Sequence, residues 1–262
     1  MKITLFTSNQ SRHNYLTNLL ASICDELYVV QENKSVFSRL ITDSQTDSEV
    51  MKTYVQKVAS AQLKLFGNSL IDKTKKNIKL FPIQEGELNK TSLNLLKDFL
   101  ESDYYIVFGS SFIKGDLIDF LIQNKAINIH MGVSPYYRGT DCNFWALYDN
   151  NPHLVGATIH MLSKELDNGP ILYHAMSDLT TEPFEYTMSA VKSAFNSIVE
   201  KVRKGSIFKI KSEIQIQSRE IRYSKKKEFN EEILNQFFKK NINLKSKKID
   251  LTLLKNPYFL SN

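Results

Sequence analysis

The sequence predicts a mostly parallel, Rossmann-like α/β sheet flanked by helices, with a short α+β appendage at its C-terminal end. Three observations lead there. Seven short apolar runs of strand character are spaced along residues 1–205, with stretches of helical periodicity between them. The chain opens strand–helix–strand, the unit from which parallel sheets are built. From Ser206 this alternation is lost and the charge changes. Residues 201–262 hold 16 Lys/Arg against 6 Asp/Glu, a balance of +10, whereas the first 200 residues hold 18 against 22. The organisation expected is one large domain over 1–205 and a basic appendage over 206–262.

Ile3–Thr7 reads as the first strand, and Asn9–Ile23 as a helix with Tyr15, Leu16, Leu19, Leu20 and Ile23 on one face. The turn between them, Thr7-Ser8-Asn9-Gln10, has no glycine, which excludes a dinucleotide fingerprint or a phosphate loop. Ser8 and Asn9 suit helix caps. Leu27–Val30 is a second strand, Ser48–Phe66 a second helix and Ile78–Phe81 a third strand. Thr91–Leu100 is expected to be helical. Asp103–Phe108 has the unbroken apolar pattern of a buried strand, and Lys114–Gln123 the pattern of a helix. A strand opens at Ala126. Asp141–Asp149 reads as a helix that places Phe144, Trp145 and Leu147 in the core. Leu154–Met161 and Ile171–Ala175 complete the strands. Glu182–Val202 is a long helix with Pro183 in its first turn and Gly205 just past its end. Ile207–Gln217 alternates in part, and Glu231–Lys239 is a short helix.

Hydrophobic residues make up 42% and charged residues 24%, ordinary for a globular protein, and the longest apolar runs are too short to span a bilayer. The opening Met1–Phe6 has a strand pattern and not that of a signal peptide. Cys24 and Cys142 show no metal-ligand spacing and do not suggest a disulfide framework, so a reducing cytoplasm is the compartment expected. The basic C-terminal part reads first as a solvated face and second as a contact for an anionic partner.

The chemistry concentrates between Ala126 and Leu172. A strand ends in Asn128-Ile129-His130, and alternation puts Asn128 and His130 on the same side. A turn at Gly132, Ser134 and Pro135 leads to the loop Tyr136-Tyr137-Arg138-Gly139. The acidic loop Glu165-Leu166-Asp167-Asn168-Gly169-Pro170 follows a further strand, with Asp167 37 positions after His130. An amide, an imidazole and a carboxylate are thereby expected to converge at the ends of adjacent strands. No covalent nucleophile or metal is required for what such a trio does; Ser134 is not in a nucleophile elbow. His160 lies inside a strand and reads as structural, and His13, His153 and His174 belong to no recognisable motif.

These residues resemble the formyltransferases that use 10-formyltetrahydrofolate. In that family an N-x-H strand end, a proline-containing loop with Arg-Gly and an L-D-x-G-P loop make the active site. The resemblance implies Asn128, His130 and Asp167 as catalytic residues and residues 1–205 as the catalytic domain. It implies a folate-binding loop from Gly109 to Lys114, with Gly109, Ser110, Phe112 and Lys114 and, beyond it, Leu162 as donor contacts. Tyr136, Tyr137 and Arg138 stand where an acceptor would enter; Arg138 either grips a phosphate or braces the loop. Met131 follows the histidine where many members have proline, and alternation points it away from Asn128 and His130. The short tail is most similar to that of sugar N-formyltransferases and far smaller than a tRNA-binding barrel. The expected reaction is formyl transfer from 10-formyltetrahydrofolate to the amine of a nucleotide-linked deoxyamino sugar, used in cell-surface polysaccharide synthesis, with no nucleic acid, membrane or metal partner. The resemblance allows a homodimer. Transfer to methionyl-tRNA or a purine precursor, hydrolysis of the donor, and a non-catalytic folate or nucleotide binder are the competing readings. The tail lysines Lys225, Lys226 and Lys227 are expected to be solvated.

Overall fold

The computed structural model describes residues 1–34, 48–178, 182–245 and 248–260. Seven strands form one sheet: β1 (Lys2–Ser8), β2 (Glu26–Asn33), β3 (Ile78–Gln84), β4 (Tyr104–Val107), β5 (Ile127–His130), β7 (Gly156–Met161) and β8 (Ile171–Met176). Their order across the sheet is β3-β2-β1-β4-β5-β7-β8. The first five run parallel, and β7 and β8 pair antiparallel at one edge. The order reverses direction at β1/β4, the place where an open sheet leaves a crevice at its strand ends. Two three-residue strands, β6 (Tyr137–Gly139) and β9 (Arg222–Ser224), pair parallel and tie the loop after β5 to the appendage.

Alternation in the strands decides which residues meet which layer. Ile3, Leu5, Val29, Ile106, Ile127 and Ile159 face a layer made by α1 (Ser11–Ala21), α2 (Glu49–Phe66) and the long α5 (Pro183–Arg203), through Leu16, Leu20, Phe66, Phe195 and Ile198. Phe6, Val30, Tyr105 and Val107 face α3 (Gly115–Gln123), through Leu117, Ile118 and Leu121. Burying such side chains at roughly 1.5–3 kcal/mol each, less the entropy of ordering them, makes the sheet a rigid base for its loops. No helix among the described residues is long and apolar enough to cross a membrane.

A third core cluster joins the appendage to the main domain. Phe144, Trp145 and Leu147 of α4 (Cys142–Tyr148) are buried with Phe184 of α5 and with Phe229, Leu234 and Phe237, the last two from α6 (Glu231–Lys239). Asp149 receives both Nε (2.9 Å) and Nη2 (2.8 Å) of Arg222, whose guanidinium also lies 4.4 Å from the Trp145 ring. The segment after Ser206 therefore packs as part of one body with the sheet.

Two expected elements differ. Thr91–Leu100 is a pair of turns and a 3-10 segment at Lys97–Leu100, not an α-helix: its bonds run from Leu95 to Ser92, Leu96 to Leu93 and Phe99 to Leu96, one residue too tight for a helix. The alternating stretch 207–217 forms only an isolated bridge, Glu213 with Ile171, between 3-10 turns.

Candidate active site

The sheet's crevice opens into a cleft of about 510 Å³ lined by the ends of β1, β4, β5 and β7 and by the loops that follow them. Asn128, His130 and Asp167 line it together. The register of β5 on β7 explains how. Asn128 pairs directly opposite His160, which brings their side chains to neighbouring positions on one face. The two meet at 3.0 Å between Asn128 Nδ2 and His160 Nε2, and His160 Nδ1 lies 2.8 Å from the Met161 carbonyl. A carbonyl only accepts, so Nδ1 carries the hydrogen and Nε2 accepts from Asn128. Burial lowers the His160 pKa to about 4 and keeps that tautomer neutral. One amide hydrogen of Asn128 is thus committed, and the second is free to point into the cleft.

His130 is two pairs further along β5, opposite Thr158. Thr158 Oγ1 donates to the Gly132 carbonyl (2.6 Å) and accepts from Ser134 N (2.8 Å), which fixes the turn that follows. His130 Nδ1 stands 3.2 Å from Asp167 Oδ2, and both side chains are nine-tenths buried. Burial by itself drives an imidazole's pKa down. Here the Asp167 carboxylate, with a smaller contribution from Cys142 Sγ at 3.6 Å, outweighs it and holds His130 well above its ordinary value. Burial likewise pushes Asp167 up, and the His130 charge reverses this to a net lowering. The pair is an ion pair at neutral pH. His130 Nε2 faces the Tyr137 carbonyl at a long 3.4 Å, so its hydrogen bond there is weak. Both ring nitrogens have protein partners, and Asn128 is the trio's side-chain donor with a hydrogen left over for the cleft.

Gly109, Ser110, Phe112 and Leu162 also line the cleft, with Ser111 and Ile113. Gly109 has φ +69°, and a Cβ built on it would lie 2.5 Å from His13 Nε2. Glycine is required there twice over, by conformation and by contact. The loop is anchored from β2: Glu32, fully buried, accepts from Gly86 N (3.0 Å) and from Ser111 N. Lys114 lies outside the lining, with its backbone N held by Asn89 Oδ1 at 2.8 Å.

Several expectations about the acceptor side are corrected. Tyr136 and Tyr137 are 5% and 1% exposed and do not line the cleft. Tyr137 is drawn inward because its hydroxyl meets Asp149 (3.3 Å) and Asn151 (2.8 Å) beneath α4. Arg138 braces: Nη2 donates to the Leu166 carbonyl (3.1 Å) and Nη1 to Glu220 (3.2 Å). Met131 lines the cleft, and also a smaller apolar pocket behind it, because the chain turns at Gly132 and the strand's alternation stops. Contributors the sequence did not single out are His160, His13, Glu32 and Arg12. Arg12 lines the cleft and has no carboxylate partner among the described residues; burial lowers its pKa to about 10.

Residues 27–205 match the family model described as formyl transferase. The chain belongs to the formyl transferase family. Two curated relatives are a mitochondrial formyltetrahydrofolate deformylase 2 of Arabidopsis thaliana, 34% identical over 91 residues, and a methionyl-tRNA formyltransferase of Thermotoga maritima, 32% identical over 104. These matches span 34% and 39% of this chain but only 26% and 32% of the relatives. Among solved structures, a phosphoribosylglycinamide formyltransferase of Anaplasma phagocytophilum superposes with TM-score 0.53 at 18% identity, covering 82% of this chain and 92% of that one. An N-formyltransferase of Helicobacter canadensis in complex with folinic acid and dTDP-3-aminofucose superposes with TM-score 0.53 at 12% identity, covering 90% and 79%. The fold of this chain is that of both.

Proposed function

We propose that this formyl transferase moves the formyl group of 10-formyltetrahydrofolate to the amine of a nucleotide-linked deoxyamino sugar. The observation that carries the reading is the junction of Asn128 with the His130–Asp167 ion pair at one point of the cleft floor. Attack of a neutral amine on the formyl carbon puts negative charge on the formyl oxygen. The free Nδ2 hydrogen of Asn128 donates to it, an interaction of about 3–4 kcal/mol in a water-poor site. The positive charge of His130, kept in place by Asp167, stabilises the same oxygen through space. Asp167 takes the proton that the attacking nitrogen must lose, and the folate N10 regains one as its bond to carbon breaks. The new C–N bond replaces the old one, with no oxidant or nucleophile required. The folate ring is assigned to the wall formed by Gly109, Ser110, Phe112 and Leu162.

The acceptor class rests on shape and charge. The cleft opens into a groove of about 750 Å³ walled by Arg12, Lys34, Tyr54 and Lys226, with Glu85 and Asp141 also present. Lys34 is engaged by Glu85 at 3.2 Å, which leaves Arg12 and Lys226 as the groove's cations for a diphosphate, Arg12 being held by the neutral Gln62. Arg138 is already held by Glu220 and Leu166 and is not assigned that role. The relative from Helicobacter canadensis was solved with a nucleotide amino sugar, in line with this acceptor class. Incubation with 10-formyltetrahydrofolate and a panel of nucleotide amino sugars, read as a mass gain of one formyl group, tests the proposal. Formylation of methionyl-tRNA with a steep loss in salt would transfer it to tRNA, a polyanion whose binding weakens by about 0.7–0.9 log units per phosphate neutralised for each tenfold rise in salt.

A further inference from the structure

The side chain that holds Asp167 against His130 comes from the appendage. Asp167 sits at φ +50°, a conformation that non-glycine residues rarely adopt, in a loop whose own internal bonds are few. What fixes the loop is outside it. Gln215 Nε2 donates to the Asp167 carbonyl (2.8 Å) and to the Gly169 carbonyl (2.9 Å). Both acceptors are carbonyl oxygens, so the amide cannot be turned over without facing oxygen to oxygen, and both Nε2 hydrogens are used.

The backbone explains why Gln215 is in reach. Glu213 and Ile171 form an antiparallel bridge, exchanging N–H···O bonds of 2.9 and 2.7 Å. Two residues on along one chain and two back along the other, antiparallel register sets Gln215 opposite Gly169. Gly169 is itself pressed on β7: a Cβ there would lie 1.7 Å from the Met161 carbonyl. Gln215 is buried, whereas its neighbour Ile214 is 81% exposed, so the amide faces the loop and the aliphatic residue faces solvent.

We propose that Gln215 is a positioning residue of this site, through which the appendage sets the carboxylate of Asp167 on His130 and so sets the charge of His130. The inference rests on the catalytic reading of that pair. The groups facing His130 are Asp167, Cys142 and the neutral His160, with Arg138 acting through Asp167; Asp141 and Glu165 line the same cleft. Of these, only the Asp167 loop is held by Gln215. With the amide removed, the Asp167 and Gly169 carbonyls lose their donor, the loop relaxes from its left-handed residue, and the carboxylate withdraws. Buried without its anion, His130 then titrates at lower pH.

The test uses the whole protein with Gln215→Leu, which keeps volume and removes both donors, and Gln215→Glu, which keeps shape and sets a carboxylate against two carbonyls. Asp167→Asn is the reference. The titration of His130 followed by NMR is expected to fall in both Gln215 variants towards that of Asp167→Asn, and the alkaline limit of kcat is expected to move down with it. At pH 8 kcat is expected to fall at least about tenfold, a misplacement effect, while KM for the folate donor changes less. A His130 titration and alkaline limit unchanged in whichever variant folds, with only the melting temperature lowered, would overturn the proposal in favour of plain structural support. The NMR readout needs no substrate. A shifted titration in a protein that transfers no formyl group would therefore leave this inference standing and remove the proposed function.

Discussion

Replacing Asp167 by Asn isolates the charge of the carboxylate from its shape. The two oxygens occupy a site 10% exposed, and Oδ2 lies 3.2 Å from His130 Nδ1. At that distance a unit charge pair is worth about 5 kcal/mol at an effective dielectric of about 20, enough to outweigh the burial that opposes an imidazolium. With the charge gone, burial is opposed only by the smaller contribution of Cys142, and the imidazole is expected to titrate below its ordinary value of roughly 6.5. At pH 8 less than about 3% of His130 then carries a proton, so kcat falls at least about 30-fold. The fraction recovers as pH falls, and the deficit relative to the unmodified protein should shrink on acidification. Comparing both proteins from pH 6 to pH 9, with saturating donor and acceptor, measures this ratio directly. Amine protonation affects both equally and cancels. A deficit that is the same at every pH, or no deficit, would refute the claim that Asp167 works by charging His130.

Three further outcomes are expected. Asn128→Ala should lower kcat by about 10²–10³-fold, since it removes the donor aimed into the cleft, and near-normal turnover of the folded variant would exclude that role. Gly109→Ala should weaken a non-transferable folate analogue measured by calorimetry far more than Ser110→Ala does, because the added Cβ meets His13 at 2.5 Å; equal small losses would remove the loop from the donor site. Acid should destabilise the fold before carboxylates titrate. Burial lowers the pKa values of His160 and His174 to about 4, so the stability that each neutral ring contributes is complete above roughly pH 6.5 and is lost as pH falls from there towards 4. Urea unfolding across that range should show the decline, and a flat profile would contradict the buried neutral assignment. The raised His130 acts oppositely, its stabilisation fading as pH rises through its folded pKa, so the acid decline belongs to His160, His174 and the similarly lowered His13.

How much of this was legible in the sequence depends on the range of the interaction. The sheet was legible because each strand announces itself locally, and Asn128 and His130 because alternation over three residues is a local fact. Asp167 was legible as part of a loop motif. His160 was not, since its use depends on the β5–β7 register that sets it opposite Asn128, a tertiary fact. Gln215 and Glu32 reach the site from 48 and 79 positions away along the chain, and no local pattern marks them. Tyr136 and Tyr137 misled because their place in the loop after the Asn128–His130 strand suggested an acceptor entrance, whereas pairing of Tyr137–Gly139 with Arg222–Ser224 of the appendage draws that loop inward. Thr91–Leu100 misled because its apolar spacing suits a helix, while the chain takes tighter turns there.

The central claim is that Asn128, His130 and Asp167 pass a formyl group to an amine. A single-turnover reaction with 10-formyltetrahydrofolate labelled in the formyl carbon, followed by mass spectrometry of the nucleotide amino sugar, measures this most directly. The account predicts stoichiometric label on the sugar's nitrogen, a rate depressed at least a hundredfold in His130→Ala, and none released as formate. Label appearing as formate in water, with the sugar unmodified across the whole panel, would contradict it.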